Sequence, residues 1–388
     1  MYRFIVSLLI VFLSAGTLFI AGSESSVTDP LPAVGKLDRE TRVRVRILER
    51  IAPKKVLIRS RKNPEKTWKV TLKSFKKKKK QSKPRKEFRY HFSDGFEISA
   101  IGEKSLKRVY RGNLKVRKKG GQLILINDVE LYHYLASVVM SEMGYKPLEA
   151  MKAQVILSRT WALAHLSPDK SYDFNDLTNS QVYKGLAIET RRAKKSVFET
   201  QDKILTYDNK LIEVMYHSTC SQRTYSYKEI WGVEIPYLTV VKDIADDGKL
   251  NSAHSRHFNW ETTLRQKKLF SYLKRKFNLR KKITGLELQV KKGQWGVSFL
   301  GANYWAPIDT FRIMVNRQFG WLKLKSNDFV ITQNKGERTI RFLGNGYGHL
   351  VGLCQVGAGK LAQKGYTTED ILQFYYPSTK IMKDHTLS

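Results

Sequence analysis

The chain has 388 residues, 41% of them hydrophobic and 11% aromatic, which excludes a disordered polymer and leaves room for two domains. Its 70 Lys and Arg against 35 Asp and Glu give a net charge of +35, so the partner or surroundings are anionic: nucleic acid, an acidic lipid surface or an anionic polymer. Two cysteines in so long a chain exclude a scaffold that depends on disulfides to fold.

Tyr2-Arg3 precede an apolar run from Phe4 to Phe12 that continues loosely to Ile20, and Ala21-Gly22-Ser23 supply small residues behind it. This is the pattern of a cleaved secretory signal over 1–23. An uncleaved anchor is the alternative, since Phe4 to Ile20 falls just short of the roughly 20 residues of a comfortable span. Both place the folded part outside the cytoplasm and remove nucleic acid from the partners.

Residues 24–104 read as a linker followed by a basic, β-rich region. Arg42 to Leu48 alternates basic and apolar residues, as a half-buried strand does, and Val56 to Ser60 and Trp68 to Leu72 continue the pattern. The run Lys76 to Lys80, with Lys83-Pro84-Arg85-Lys86 behind it, reads as a solvated loop that also suits an anionic surface. Short strands recur from Phe88 to Asn127, ending on the apolar Leu123 to Ile126.

Leu131 to Met140 has helical spacing and leads into a polar turn containing Glu142. Pro147 suits the first position of a second helix, where Glu149 complements the positive end. Lys152 and Arg159 lie seven positions apart, so they share a face, in a strip otherwise filled by Ala, Met, Val and Trp. That setting points to a site. Asp173 and Asp176 read as turn residues, and Ala187 to Gln201 as a basic helix.

Strands are expected at Leu211 to His217 and Pro236 to Val241, a basic helix from Leu264 to Phe277, and β-structure from Ile283 to Phe342. The glycine-rich turn Gly344 to His349 leads through Gly352 and Gly359 into a helix reaching Ala362. No strand–helix unit with a suitably spaced acid follows, so it is not a dinucleotide loop. The expected fold class is α+β: a mixed domain over 105–380 with helices around a cleft, plus the basic β-rich N-terminal region.

In order, Tyr134-Leu135, Glu142-Met143, Leu148 to Gln154, Ser158 to Leu163, Gln181-Val182-Tyr183-Lys184-Gly185, His217-Ser218-Thr219, Pro236-Tyr237-Leu238, Gly346 to His349, Val351 to Ala358 and Ile371 to Pro377 resemble the SpoIID/LytB family of bacterial cell-wall proteins. The resemblance spans roughly residues 105 to 380. It implies a lytic transglycosylase acting on peptidoglycan glycan strands stripped of stem peptides, in the periplasm or cell-wall space, with Glu142 as acid/base. The alternative it carries is a non-catalytic wall-binding protein that activates an amidase. An anionic wall polymer or membrane surface is a further partner. Three departures from the family pattern stand out: Ser221-Gln222 in place of a Gly pair, Leu350 in place of Gly, and Cys354 in place of a frequent Ser.

A hydrolytic glycosidase needs two carboxylates. No convincing second one accompanies Glu142, and transglycosylation removes the need: Glu142 protonates the glycosidic oxygen, then accepts the proton of the muramic acid 6-hydroxyl as that oxygen closes on C1. Partial burial in a cleft would suit both protonation states. Lys152 and Arg159 are expected to face substrate, for example the lactyl carboxylate, or the turn backbone, because pairing with Glu142 would hold it ionised. His217, His349 and Gln355 are expected in the wall of the same site, with His349 and Gln355 orienting sugar hydroxyls. Tyr183 is expected to stack on a ring or fill the core. His217, Cys220, His349 and Cys354 make a conceivable zinc set of unusual spacing. A disulfide or two unlinked thiols are the other readings, and neither a metal nor a cofactor is assigned.

Overall fold

The computed structural model describes residues 36–76, 86–102, 106–178, 180–244, 248–334 and 336–383. The expected secretory segment 1–23, the linker up to residue 35 and the basic stretch 77–85 lie outside the described residues. The fold is α+β. The chain divides into two compact units, one drawn from Met1–Ile212 and Ile381–Ser388, the other from Glu213–Lys380.

In the first unit a five-stranded sheet runs in the order Glu87–Tyr90, Asn113–Lys119, Gln122–Glu130, Arg42–Ile47, Phe174–Asn175, with only the last pair parallel. The alternation read from the sequence is realised in Arg42–Ile47, where Val43, Val45 and Ile47 are buried. A four-stranded antiparallel sheet, Thr67–Thr71, Lys55–Ser60, Phe96–Ala100, Leu106–Tyr110, completes the β-structure expected near the N-terminus. The helices of this unit are α1 (Lys36–Glu40), α2 (Leu131–Met143), α3 (Leu148–Ala164) and α4 (Arg191–Glu199).

Helix α2 runs three residues beyond its expected end, so Glu142 lies in its last turn rather than in the loop behind it. Gly144 stops it: its φ of 60° and ψ of −139° form a conformation that only glycine adopts readily, and its N–H returns to the Met140 carbonyl. Pro147 then precedes α3 as its N-cap, one position ahead of the first helical position expected for it.

The second unit holds two three-stranded antiparallel sheets, Asn259–Arg265, Thr339–Asn345, Asp328–Thr332 and Gly285–Lys291, Gln294–Leu300, Tyr304–Pro307. A short parallel pair joins Tyr216–His217 to Leu353–Cys354. Its helices are α5 (Tyr227–Trp231), α6 (Gln266–Lys276), α7 (Ile308–Phe319), α8 (Gln355–Gln363) and α9 (Thr368–Tyr375).

Three β expectations fail here, one of them between Ile283 and Phe342, where helix α7 occupies Ile308–Phe319. Leu211 to His217 is not continuous: only Lys210–Leu211 and Tyr216–His217 are strands, because side chains take the backbone groups between them. The Tyr237 hydroxyl accepts the Glu213 N–H (2.8 Å), and the Tyr376 hydroxyl bonds both the N–H and the carbonyl of Met215. Pro236 to Val241 forms a turn, since Pro236 has no N–H and Leu238 N–H folds back to the Ile235 carbonyl (3.1 Å).

Candidate active site

In the first unit the stretch Gln181–Gly185 is fastened along α2. Tyr134 Oη donates to Gln181 Oε1 (3.0 Å), Val182 N–H to Glu142 Oε1 (3.1 Å), and the N–H groups of Lys184 and Gly185 both to Ser137 Oγ (3.2 and 2.9 Å). Gly185 has a φ of 81°, and a Cβ there would collide with the Val109 carbonyl and the Tyr110 ring. Glycine is therefore what lets this stretch reach the helix. Glu142 is half-buried at the end of α2, with one oxygen on a backbone donor.

Tyr183 points the other way, into the core. It is 1% exposed, donates its hydroxyl to Asn127 Oδ1 (2.8 Å) and packs between Tyr110 and Tyr134 at 5.7 and 5.3 Å. Its core-filling reading holds and its ring-stacking one does not.

Lys152 and Arg159 share a face of α3, but that face meets protein rather than substrate. Lys152 Nζ pairs with Glu149 (2.7 Å) and Glu199 (3.3 Å). Arg159, wholly buried, grips Asp38 with two bonds of 2.6 and 2.7 Å and donates to the carbonyls of Thr200 (2.8 Å) and Lys203 (2.9 Å). Its guanidinium thus closes the C-terminal end of α4, where a cation complements the exposed carbonyls. The expected substrate role of Arg159 is overturned by that complete set of internal partners.

The other carboxylates of this stretch are also engaged. Asp173 accepts from Arg44 and from the N–H groups of Arg44 and Ser167, and these bonds outweigh burial to hold it below its ordinary range. Asp176 accepts the N–H groups of Leu48 (2.7 Å) and Glu49 (3.3 Å), yet burial pushes it up to about 6. The sequence reading did not single out Lys184. Its side chain is half-buried within electrostatic range of Glu142 and Arg108, and the Gln181–Gly185 motif was the available sign.

In the second unit His217, His349 and Gln355 are 2%, 3% and 3% exposed, so they are buried framework rather than open contacts for sugar hydroxyls. Aromatic packing encloses His349, with the His217 ring at 5.8 Å and the Trp231 ring at 5.5 Å. Burial, then repulsion from His217 and Arg312, keeps its imidazole well below the ordinary value, and Nδ1 accepts the Val351 N–H (3.1 Å).

His217 Nδ1 faces the Val351 carbonyl (3.2 Å), which can only accept, and its Nε2 lies 3.3 Å from Cys220 Sγ. The donor atoms of His217, Cys220 and Cys354 lie within 4.8 Å of one another. The two cysteines are unlinked, and His349 does not belong to the group. Burial pushes the Cys220 thiol well up. At Cys354 burial acts in the same direction but is outweighed by hydrogen bonds, those of Cys220, His217 and Ser252 among them, and the thiol is held well below its ordinary value. One imidazole nitrogen and two sulfurs form a donor set of the kind that holds Zn²⁺.

Two of the sequence departures now have a structural setting. Cys354 caps α8 by accepting the Gly357 N–H (3.3 Å), the place where Ser is commonest. Leu350 has a φ of 69°, a left-handed conformation natural to glycine and strained for leucine, while its side chain is wholly buried.

The first unit therefore presents a half-buried carboxylate at a helix end, backed by a hydrogen-bonded motif. A model of the stage II sporulation protein family, SpoIID, matches residues 119–207, which include all of that motif. Stage II sporulation protein D of Bacillus subtilis (strain 168) is 30% identical over 275 residues, covering 66% of this chain and 75% of that protein. An uncharacterized protein of Brachyspira hyodysenteriae is 26% identical over 299 residues, 76% of each chain. An amidase enhancer of Bacillus subtilis is 28% identical over 293 residues, 64% of this chain but 40% of its own length. The chain belongs to the SpoIID family.

Proposed function

We propose that this protein acts on the bacterial cell wall as a lytic transglycosylase of peptidoglycan glycan strands, with Glu142 as its single acid/base. The observation that supports this most directly is the placing of Glu142, half-buried and oriented by the Val182 N–H, while Glu149, Asp173 and Asp176 are bound to Lys152, Arg44 and backbone donors. One carboxyl group suffices when the nucleophile is the substrate's own hydroxyl. Protonated Glu142 gives its proton to the glycosidic oxygen as the C1–O bond breaks. The resulting carboxylate takes the proton of the muramic 6-hydroxyl as O6 bonds to C1, leaving a 1,6-anhydro end and consuming no water. Export directed by residues 1–23 would bring the protein to this polymer.

The test is mass spectrometry of glycan strands freed of peptides and incubated with the protein. Wild type should release anhydro-muramic ends, and Glu142→Gln, which can still accept the Val182 N–H, should reduce their rate by at least about 10²-fold. Equal yields from both proteins, or none from wild type, reject the reading. The similarity to an amidase enhancer favours one second reading, a non-catalytic activator of an amidase. In that case amidase stimulation survives Glu142→Gln and no anhydro ends appear.

A further inference from the structure

Lys184 is a half-buried cation of the first unit that lies within electrostatic range of Glu142. Its backbone is fixed: its own N–H and that of Gly185 end on Ser137 Oγ, and Val182 N–H two residues earlier ends on Glu142. Ser137 and Glu142 are five residues apart on α2, about 7.5 Å along the axis. The side chain is half-buried, and among the described residues it forms no ion pair. The neighbouring cations differ in this respect. Lys152, Arg159 and Arg44 are bound to Glu149, Asp38 and Asp173, and Arg108 lies 3.8 Å from Asp176. Burial, then repulsion from Arg108, lowers the Lys184 ammonium from its ordinary value, and only Glu142 works against them. A half-buried ammonium held by no contact ion pair is costly to keep, and an arriving anion reduces that cost.

We infer that Lys184 binds a carboxylate carried by the substrate beside the glycosidic oxygen that Glu142 protonates. This rests on the transglycosylase reading above. In a peptidoglycan strand the carboxylate available on the sugar is the lactyl group of muramic acid, which is ionised when free and a neutral amide when a stem peptide is attached. Lys184 is thus a substrate-binding residue that distinguishes bare from peptide-bearing sugars, the role first expected of Lys152 and Arg159. Once paired with the substrate it also presents less positive field to Glu142.

The experiment compares two polymers: glycan strands freed of peptide, and the same strands with their lactyl carboxylates converted to methylamides. Wild type should prefer the free acid in kcat/KM by on the order of tenfold or more. Lys184→Gln should lose that preference chiefly through a higher KM for the free acid, and Lys184→Arg should restore part of it. Calorimetric binding to Glu142→Gln, with and without Lys184→Gln, measures the same preference without turnover. An unchanged preference in Lys184→Gln, in either assay, overturns the assignment. Absence of anhydro ends from wild type overturns the transglycosylase reading instead, and the binding comparison then still decides the role of Lys184.

Discussion

Replacing Arg159 by methionine tests whether its guanidinium serves the fold or the substrate. The variant leaves the Asp38 carboxylate, wholly buried, without the two bonds that neutralise it, and removes the donors to the Thr200 and Lys203 carbonyls. Breaking one side of a buried ion pair costs about 3–5 kcal/mol, a large part of the roughly 5–15 kcal/mol that holds a domain together. Urea unfolding followed by circular dichroism should show a much lower midpoint. Protein that remains folded should keep its KM for glycan. Adding Asp38→Leu should recover part of the loss, because no unpaired charge then remains inside. A variant as stable as wild type with a raised KM would refute this account, and so would a double variant that costs the sum of both single changes.

Two other outcomes follow from buried groups. Asp176 sits at about 6 in the folded chain against an ordinary 3.8, so the folded state holds its proton more tightly. The stabilisation from that proton is complete below 3.8, is lost as the pH rises through about 6, and amounts to at most about 3 kcal/mol. Wild type should therefore gain stability on Asp176→Asn between pH 7 and pH 4.5 in urea melts; parallel curves reject this. For the sulfur cluster, protein prepared with zinc should retain the metal through dialysis and lose both metal and melting temperature to a chelator. Cys354→Ala should bind none, whereas retention by that variant would place the metal elsewhere.

Helices α2 and α3 were legible because their apolar spacing and Pro147 act locally, though the end of α2 was read three residues short of Met143. The shared face of Lys152 and Arg159 was legible too, but its counterpart was not. Asp38 lies 121 residues upstream of Arg159, and nothing in the spacing of either residue links them. The strand expected at Pro236 failed for a related reason: β-branched composition suggests a strand, but a neighbouring N–H donor and acceptor decide whether one forms. At Leu350 the sequence showed an unusual residue, and only the backbone angle shows what that residue must tolerate. Lys184 stood within the family motif, but its half-burial and its lack of a contact ion pair are properties of packing.

The bond from Val182 N–H to Glu142 ties an amide proton to the charge of the carboxyl group. When Glu142 takes up a proton that oxygen becomes a poorer acceptor, and the amide frequency must move with it. The backbone resonance of Val182 is consequently a built-in indicator of the ionisation of Glu142. It can be followed by NMR in the resting protein, without a substrate or an added label beyond ¹⁵N.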